Sequence, residues 1–251
     1  MVVSRVLIIA GSDSGGGAGI QADLKTVAML GGHGMTAITA ITAQNTLGVT
    51  AVELVSPAMV LAQIDAVLSD IGADAIKIGM IGSSETAHAV ADRLETLKDV
   101  PIVFDPVMVA TSGSVLADAA TIAAFDRLMR VARVVTPNLP EMQALGGDPA
   151  ELARRTGASV LLKGGHVEGD TIIDRLIDPD GSEREWRATR IETRHNHGTG
   201  CTLASAIATG LGAGMLLGNA ITRARAYVRK ALANAPGLGA GHGPMGFLPE
   251  N

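Results

Sequence analysis

The chain has 251 residues and a formal net charge of -5, and its residues are 47% apolar but only 2% aromatic. It is long enough to bury a large core, which has to be built from closely packed Ala, Val, Ile, Leu and Met. Scarce aromatics argue against a protein that stacks single-stranded bases, and an acidic balance without a basic stripe argues against duplex binding, so no nucleic-acid partner is expected. The one cysteine rules out an internal disulfide framework and fits a reducing compartment, so a cytoplasmic protein is expected.

Short β-branched runs alternate with longer Ala/Leu-rich segments of helical period. This is the pattern of a mostly parallel sheet with helices on both faces, an α/β fold, and no linker divides the single domain expected over 1–251. The pattern predicts strands over Arg5–Ala10, Gly34–Ala43, Thr50–Val55, Ala75–Ile78, Pro101–Phe104, Val131–Thr136, Ser159–Leu162, Thr171–Ile177 and Glu185–Ile191. The run Val6–Ala10 is too short for a signal-peptide core and leads into a glycine-rich loop, as a buried first strand would. Between Arg194 and Arg223 there is no charged residue, but Gly210, Gly212, Gly214 and Gly218 interrupt the stretch. A buried helix with small-residue contacts is expected there, and no membrane partner.

In open parallel sheets ligands bind beyond the carboxyl ends of the strands, so the segments just after strands are where chemistry is sought. After the first strand, Gly11–Thr26 resembles two phosphate loops and completes neither. Leu24 stands where a Walker A loop needs glycine before Lys25-Thr26, and no Asp or Glu lies between Asp23 and Glu53 to hold the ribose of a dinucleotide. The segment reads either as a plain strand-to-helix turn or as a loop over a small ligand whose polar groups reach Asp13 and Asp23.

The predicted second strand runs into Gln44, whose carbonyl and NH2 group suit a heterocycle with an amino group beside a ring nitrogen, or else simply satisfy the turn. Met80, after Lys77-Ile78-Gly79, can supply an apolar wall. Asp105 directly follows Ile102-Val103-Phe104, and Pro106 stops that strand. Asn138 and Glu141 have the spacing of a capping box, which would also leave a carboxylate able to hold Mg2+ through water. Lys163 follows the apolar run Leu161-Leu162. Together these groups suit phosphate and metal chemistry.

The most informative stretch is Arg194–Ala208. Gly198 and Gly200 flank Thr199 where a loop meets an Ala/Ile/Leu run, so successive N–H groups can converge on an anion at a helix start. Cys201 in that position would be biased towards thiolate, as a base or nucleophile. A lone cysteine in an apolar-rich chain also reads as an inert buried thiol. Zinc ligation by His195, His197 and Cys201 fits no usual spacing. A Cys/His acyl-transfer site with His197 as base leaves Asp105, Glu141 and Lys163 without a role, and no Gly-x-Ser-x-Gly elbow occurs.

Seven segments in order carry a family resemblance: Ala10–Asp23, Thr42–Thr46, Lys77–Met80, Asp105–Met108, Thr136–Glu141, Lys163–His166 and His197–Thr202. In these the chain resembles the hydroxymethylpyrimidine/phosphomethylpyrimidine kinases of thiamine biosynthesis, within the ribokinase-like superfamily. The resemblance implies a three-layer sandwich without a large separate lid domain, ATP and Mg2+, an aminopyrimidine alcohol or its phosphate as acceptor, and a homodimer. It implies that Gln44, Gly11, Ala18, Asp23, Met80 and Val107 bind the acceptor. It assigns Asp105, Thr136, Asn138, Glu141, Lys163 and Thr199 to the nucleotide, Asp105 and Glu141 to the metal, and Gly198, Gly200, Lys163 and Cys201 to the chemistry. Many relatives in the superfamily have aspartate at the position of Cys201, so the chain follows the pyrimidine-kinase subgroup. Pyridoxal kinases of the same superfamily are the nearest alternative, and Gln44 argues against them, because pyridoxal offers a phenolic oxygen where the pyrimidine offers its amino group.

Overall fold

A computed structural model describes residues 3–111, 113–166 and 169–249, with the side chain of His166 left aside. The strands are β1 (Arg5–Ala10), β2 (His33–Ile38), β3 (Ala40–Asn45), β4 (Gly48–Leu54), β5 (Ala75–Ile78), β6 (Ile102–Phe104), β7 (Val134–Val135), β8 (Ser159–Leu162), β9 (Thr171–Ile177) and β10 (Glu183–Thr189). The α-helices are α1 (Gly19–Met29), α2 (Pro57–Asp70), α3 (Ser84–Leu94), α4 (Ala119–Val131), α5 (Leu139–Ala144), α6 (Pro149–Thr156), α7 (Thr199–Gly212) and α8 (Leu217–Ala233).

The order in the main sheet is β10-β9-β8-β7-β6-β5-β1-β2, parallel from β2 to β8 and antiparallel at β9 and β10. Its parallel strands are short runs of Val, Ile, Leu and Ala because both faces are covered. Side chains alternate between two cores. Leu7, Ile9, Ile76, Ile78, Phe104 and Val160 pack against α2, α3, α4 and α6. Val6, Ile8, Ala75, Val103, Val134 and Leu161 pack against α1, α7 and α8. This is the expected three-layer α/β sandwich.

Small residues let α7 press on its neighbours. A methyl group on Gly210 would stand 2.9 Å from the Ala220 side chain on α8, and one on Gly212 would overlap the Ser4 hydroxyl. The charge-free stretch thus contains the buried helix expected, α7, followed by a turn with Met215 and Leu216 exposed and by the start of α8. No helix among the described residues is long and apolar enough to cross a membrane.

Four predicted strands, Arg5–Ala10, Ala75–Ile78, Ser159–Leu162 and Thr171–Ile177, coincide with observed ones. The run predicted as Gly34–Ala43 is instead two strands in two sheets. Thr39, fully buried, donates its amide to Ala10 O on β1 and its hydroxyl to Met80 O, after which the chain leaves the main sheet. β3 then pairs only with β4, with a register shift at Ala43/Gln44. The Thr-Ala-Ile repeat of residues 36–43 runs unbroken across Thr39 and cannot mark a change of sheet. The run Val131–Thr136 shrinks to Val134–Val135, because Val131 closes α4.

The Phe104 and Phe125 rings meet edge to face at 5.2 Å between centroids, both fully buried directly behind Asp105. Truncating Phe125 to Ala is expected to lower stability by about 3–5 kcal/mol, read as a lower denaturant midpoint with an unchanged m-value. A loss below about 1 kcal/mol would show that this core collapses freely around the gap.

Candidate active site

The carboxyl ends of β1, β5, β6, β7 and β8 open on one cavity of about 1150 Å³, closed opposite by the first turn of α7. Its walls include Gly11, Ala18, Gln44, Met80, Val107, Asp105, Asn138, Glu141, Lys163 and the segment Gly198–Cys201. Most residues singled out along the sequence therefore meet at one place.

Gly198 is the N-cap of α7 with φ +84, and a Cβ there would overlap the Gly17 carbonyl. Only glycine permits both the left-handed backbone and this approach. At Gly200, a Cβ would lie 3.3 Å from both Asp105 Oδ2 and Lys163 Nζ. The first turn of a helix has N–H groups with no intrahelical partner and the positive end of its dipole. An anion cradle and a lysine thus face each other at contact range.

Asp105 is held on one side only. Its Oδ1 accepts from Lys163 Nζ and from Thr136 Oγ1, each at 2.8 Å, while Oδ2 faces Gly200. Burial alone would raise its carboxyl, but Lys163 and Lys77 outweigh that and hold it below the usual range. Glu141 forms a true capping box with Asn138: Asn138 N–H donates to Glu141 Oε2 at 2.8 Å and Glu141 N–H to Asn138 Oδ1 at 2.8 Å. Its carboxylate lies 3.7 Å from Lys163, and burial pushes it up, with Lys163 opposing and Asp105 reinforcing. Burial also works against the charge of Lys163, but Asp105 and Glu141 prevail and keep its ammonium above the usual lysine range.

Thr136 is fully buried and absent from the cavity wall, so its expected place beside the nucleotide is corrected: its hydroxyl is spent on orienting Asp105. Asp23 is corrected in the same way. It is fully buried in α1, accepting from Lys77 Nζ at 2.8 Å and from Ser205 Oγ at 2.6 Å, and it does not line the cavity. Desolvation there would exclude a charge without a partner, and Lys77 is that partner.

Lys77 is a residue that sequence reasoning left without a role. It is fully buried yet borders the cavity floor, and Asp23, Cys201 and Asp105 overcome desolvation to hold its ammonium above the usual range. A lysine inside the run Ala75-Ile76-Lys77-Ile78 was the available signal, since a buried strand tolerates a charge only with a counter-charge. Ile172, Ala188, Ile191, Val228 and Leu232, an apolar slot at the far end, were also missed. Apolar residues on β9, β10 and α8 look the same in sequence whether they face a core or a ligand.

Cys201 is partly exposed at the cavity, and the Gly19 amide donates to it. The expected thiolate bias is overturned. Burial pushes the thiol up to about 11, with Lys77 opposing and Asp23 and Asp105 adding to the rise.

Asp13 lines the cavity, but its oxygens are taken by Gly15 N–H at 2.8 Å, Gly17 N–H at 3.0 Å, Ala18 N–H at 2.8 Å and the His197 ring at 2.9 Å. Burial would raise its carboxyl, but His197 and these amides carry it below the usual range. Gln44 lies inside β3 of the hairpin and not at an end of the main sheet; its amide is 3.2 Å from both His197 Nε2 and Thr42 Oγ1. With His197 spent on Asp13 and Gln44, neither the zinc nor the acyl-transfer reading gains support, and no metal-binding group of three or more His, Cys, Asp or Glu occurs among the described residues.

The chain is 52% identical to the hydroxymethylpyrimidine/phosphomethylpyrimidine kinase of Rhizobium meliloti over 254 residues, covering 95% of each. Its fold is similar to a solved phosphomethylpyrimidine kinase from Clostridium difficile, with TM-score 0.80 and 36% identity over 91% of this chain and 99% of that one. It is also similar to Bacillus subtilis pyridoxal kinase solved as an ADP complex, with TM-score 0.87 and 31% identity over 98% of both. The family model described as phosphomethylpyrimidine kinase matches residues 13–246, and the chain belongs to that family.

Proposed function

We propose that this chain transfers the terminal phosphoryl group of ATP to the hydroxymethyl of 4-amino-5-hydroxymethyl-2-methylpyrimidine, and then to the resulting monophosphate, in thiamine biosynthesis. The observation that carries this reading is the first turn of α7 facing Lys163 and Asp105 so closely that a Cβ on Gly200 would lie 3.3 Å from both. Phosphoryl transfer needs little covalent help and much positioning and charge neutralisation, and this juxtaposition supplies both. The N–H groups of Gly198–Cys201 receive the transferring group, Lys163 neutralises its developing charge, and Thr199 and Asn138 border its path. Asp105 and Glu141 are too few for a closed cation cage but fit Mg2+ shared with phosphates and water, where the ion would neutralise phosphate charge. The apolar slot between β9, β10 and α8 suits the nucleobase.

In this reading the acceptor's ring lies between Gly11, Ala18, Met80 and Val107 with its amino edge on Gln44. A substituent on Gly11 would stand 3.0 Å from Met80 Sδ, which explains a bare backbone under a flat ring. Cys201 acts from its thiolate form, which Lys77 beneath it favours, and takes the hydroxyl proton late in the transfer to become the neutral thiol. Pyridoxal kinase activity is the second reading, favoured by the TM-score of 0.87 to the Bacillus subtilis enzyme and opposed by Gln44. The absence of a second cysteine fits a reducing cytoplasm. The whole of 1–251 acts as one domain, and a second copy covers Ile41, Val52 and Leu54, exposed on the β3–β4 sheet.

Coupled assay of ADP release with each acceptor tests the assignment: the aminopyrimidine should drive turnover, and turnover of pyridoxal alone overturns it. Cys201→Ala should lower kcat by about 10²–10⁴-fold while pyrimidine binding stays measurable; full activity removes Cys201 from the mechanism.

The thiol's raised pKa has its own test. Alkylation of Cys201 by iodoacetamide in the ligand-free protein should accelerate about tenfold per pH unit from neutrality towards 10, because the reactive thiolate becomes the major form only near 11. A plateau already reached by neutral pH would contradict it.

For the dimer, sedimentation of wild type should give twice the monomer mass, and Ile41→Glu with Val52→Glu should halve it. A monomeric wild type would exclude the second copy.

A further inference from the structure

The Gln44 amide touches two groups whose own hydrogen bonds decide which way round it sits. On one side Thr42 Oγ1 faces two acceptors, the Ser12 carbonyl at 2.9 Å and the Gln44 amide oxygen at 3.2 Å, and its single proton goes to the nearer, the Ser12 carbonyl. On the other, His197 Nε2 lies 3.2 Å from the amide and 2.9 Å from Asp13 Oδ2. Asp13 accepts three backbone N–H bonds and is held ionised, so it takes only a donor from the ring. His197 Nε2 therefore carries a proton in either charge state of the imidazole.

Amide oxygen and nitrogen are nearly equal in size, so the surrounding donors and acceptors choose between the two orientations. Thr42 has only lone pairs left to offer, and His197 only an N–H. Both are satisfied when the Gln44 NH2 points to Thr42 and its carbonyl to His197. The reverse, with the amide oxygen at Thr42 and the nitrogen at His197, sets N–H against N–H at 3.2 Å, so the amide is assigned the other way round.

Once so placed, the amide has one N–H and one carbonyl lone pair left for a ligand. The ring of His197 is itself locked: its amide donates to Gly243 O at 3.2 Å, it is 6% exposed, and a Cβ on Gly17 would stand 2.6 Å from its Cδ2.

We infer that the Asp13–His197 pair is a specificity-determining positioning device. It fixes the sense of the Gln44 amide, so that the cavity accepts a ring with an amino group beside a bare ring nitrogen and rejects one with a carbonyl beside a ring N–H. The inference rests on the reading that Gln44 faces the aminopyrimidine. It brings together three segments distant in the chain: the β1–α1 loop through Asp13, the hairpin through Thr42 and Gln44, and the approach to α7 through His197.

The experiment compares kcat/KM for the aminopyrimidine with that for its 4-oxo analogue, whose ring N–H and carbonyl reverse the donor and acceptor. Wild type should prefer the amino compound by at least about 100-fold. His197→Leu and Thr42→Val each release one side of the amide and should reduce that preference about tenfold or more, with KM for ATP held within about twofold. His197→Gln, which can again present a donor, should recover part of it.

Thr42→Val keeps shape and volume, so it carries the test if His197→Leu fails to fold. An unchanged preference in both variants, with Gln44→Leu losing it, overturns the role of the pair while leaving Gln44 in place. A preference that survives Gln44→Leu overturns the underlying reading as well.

Discussion

The arrangement depends on one close approach, the backbone of Gly198 against the carbonyl of Gly17. Nothing larger than hydrogen fits between them, and Gly198 must also adopt φ +84. That contact sets the first turn of α7 against the carboxyl edge of the sheet and brings Gly200 to Asp105 and Lys163. The rest of α7 secures it, since nine consecutive residues, Thr202–Gly210, are buried between β-strands and neighbouring helices. The position of the anion cradle is therefore a consequence of core packing, and no loop has to hold it.

The buried charges follow from the same geometry. Lys77–Asp23 and Lys163–Asp105 lie on either side of the α7 start, and each cation is fully or largely buried. A buried pair is weak evidence for stability, because apolar residues of equal volume often do as well. What apolar residues cannot provide is a fixed positive potential under a phosphoryl group and beside a thiol. Lys77 opposes the rise of the Cys201 thiol, and Lys163 holds Asp105 ionised. The pairs make physical sense as preorganised electrostatics, whose reorganisation is completed when the chain folds.

Much of the fold was legible because parallel strands buried on both faces are short apolar runs, and Ala75–Ile78 and Ser159–Leu162 are bounded by residue. The site was legible where glycine or a charge directly follows such a run, as at Asp105, Lys163 and Gly198. What escaped depends on partners distant in sequence. Thr39 looks like any strand threonine, yet it is where the chain changes sheets. Asp23 and Thr136 sit in the right motifs but point at Lys77 and Asp105, because a motif gives proximity to a site without giving side-chain direction. The ionisation of Cys201 escaped for a related reason: the dipole of its own helix is visible in sequence, whereas burial and the carboxylates of Asp23 and Asp105 are not.

The raised pKa of Cys201 bears on how the thiol works. A base is effective through two opposed quantities, the fraction present in the basic form and the strength of that form. A thiol near 11 is almost wholly protonated at neutral pH, but its thiolate is a stronger base than one lowered to 7. In a loose phosphoryl-transfer transition state the acceptor hydroxyl keeps its proton until bond formation is well advanced, and only the thiolate fraction of Cys201 can receive it then. A resting thiol also leaves no anion beside Asp105 to repel the incoming phosphates. Lys77 below and the Gly19 amide donating to the sulfur make the thiolate fraction larger than burial alone would leave. Burial thus keeps most of Cys201 neutral while the anionic substrates bind, and Lys77 preserves the thiolate fraction that receives the proton and becomes the neutral thiol during the transfer.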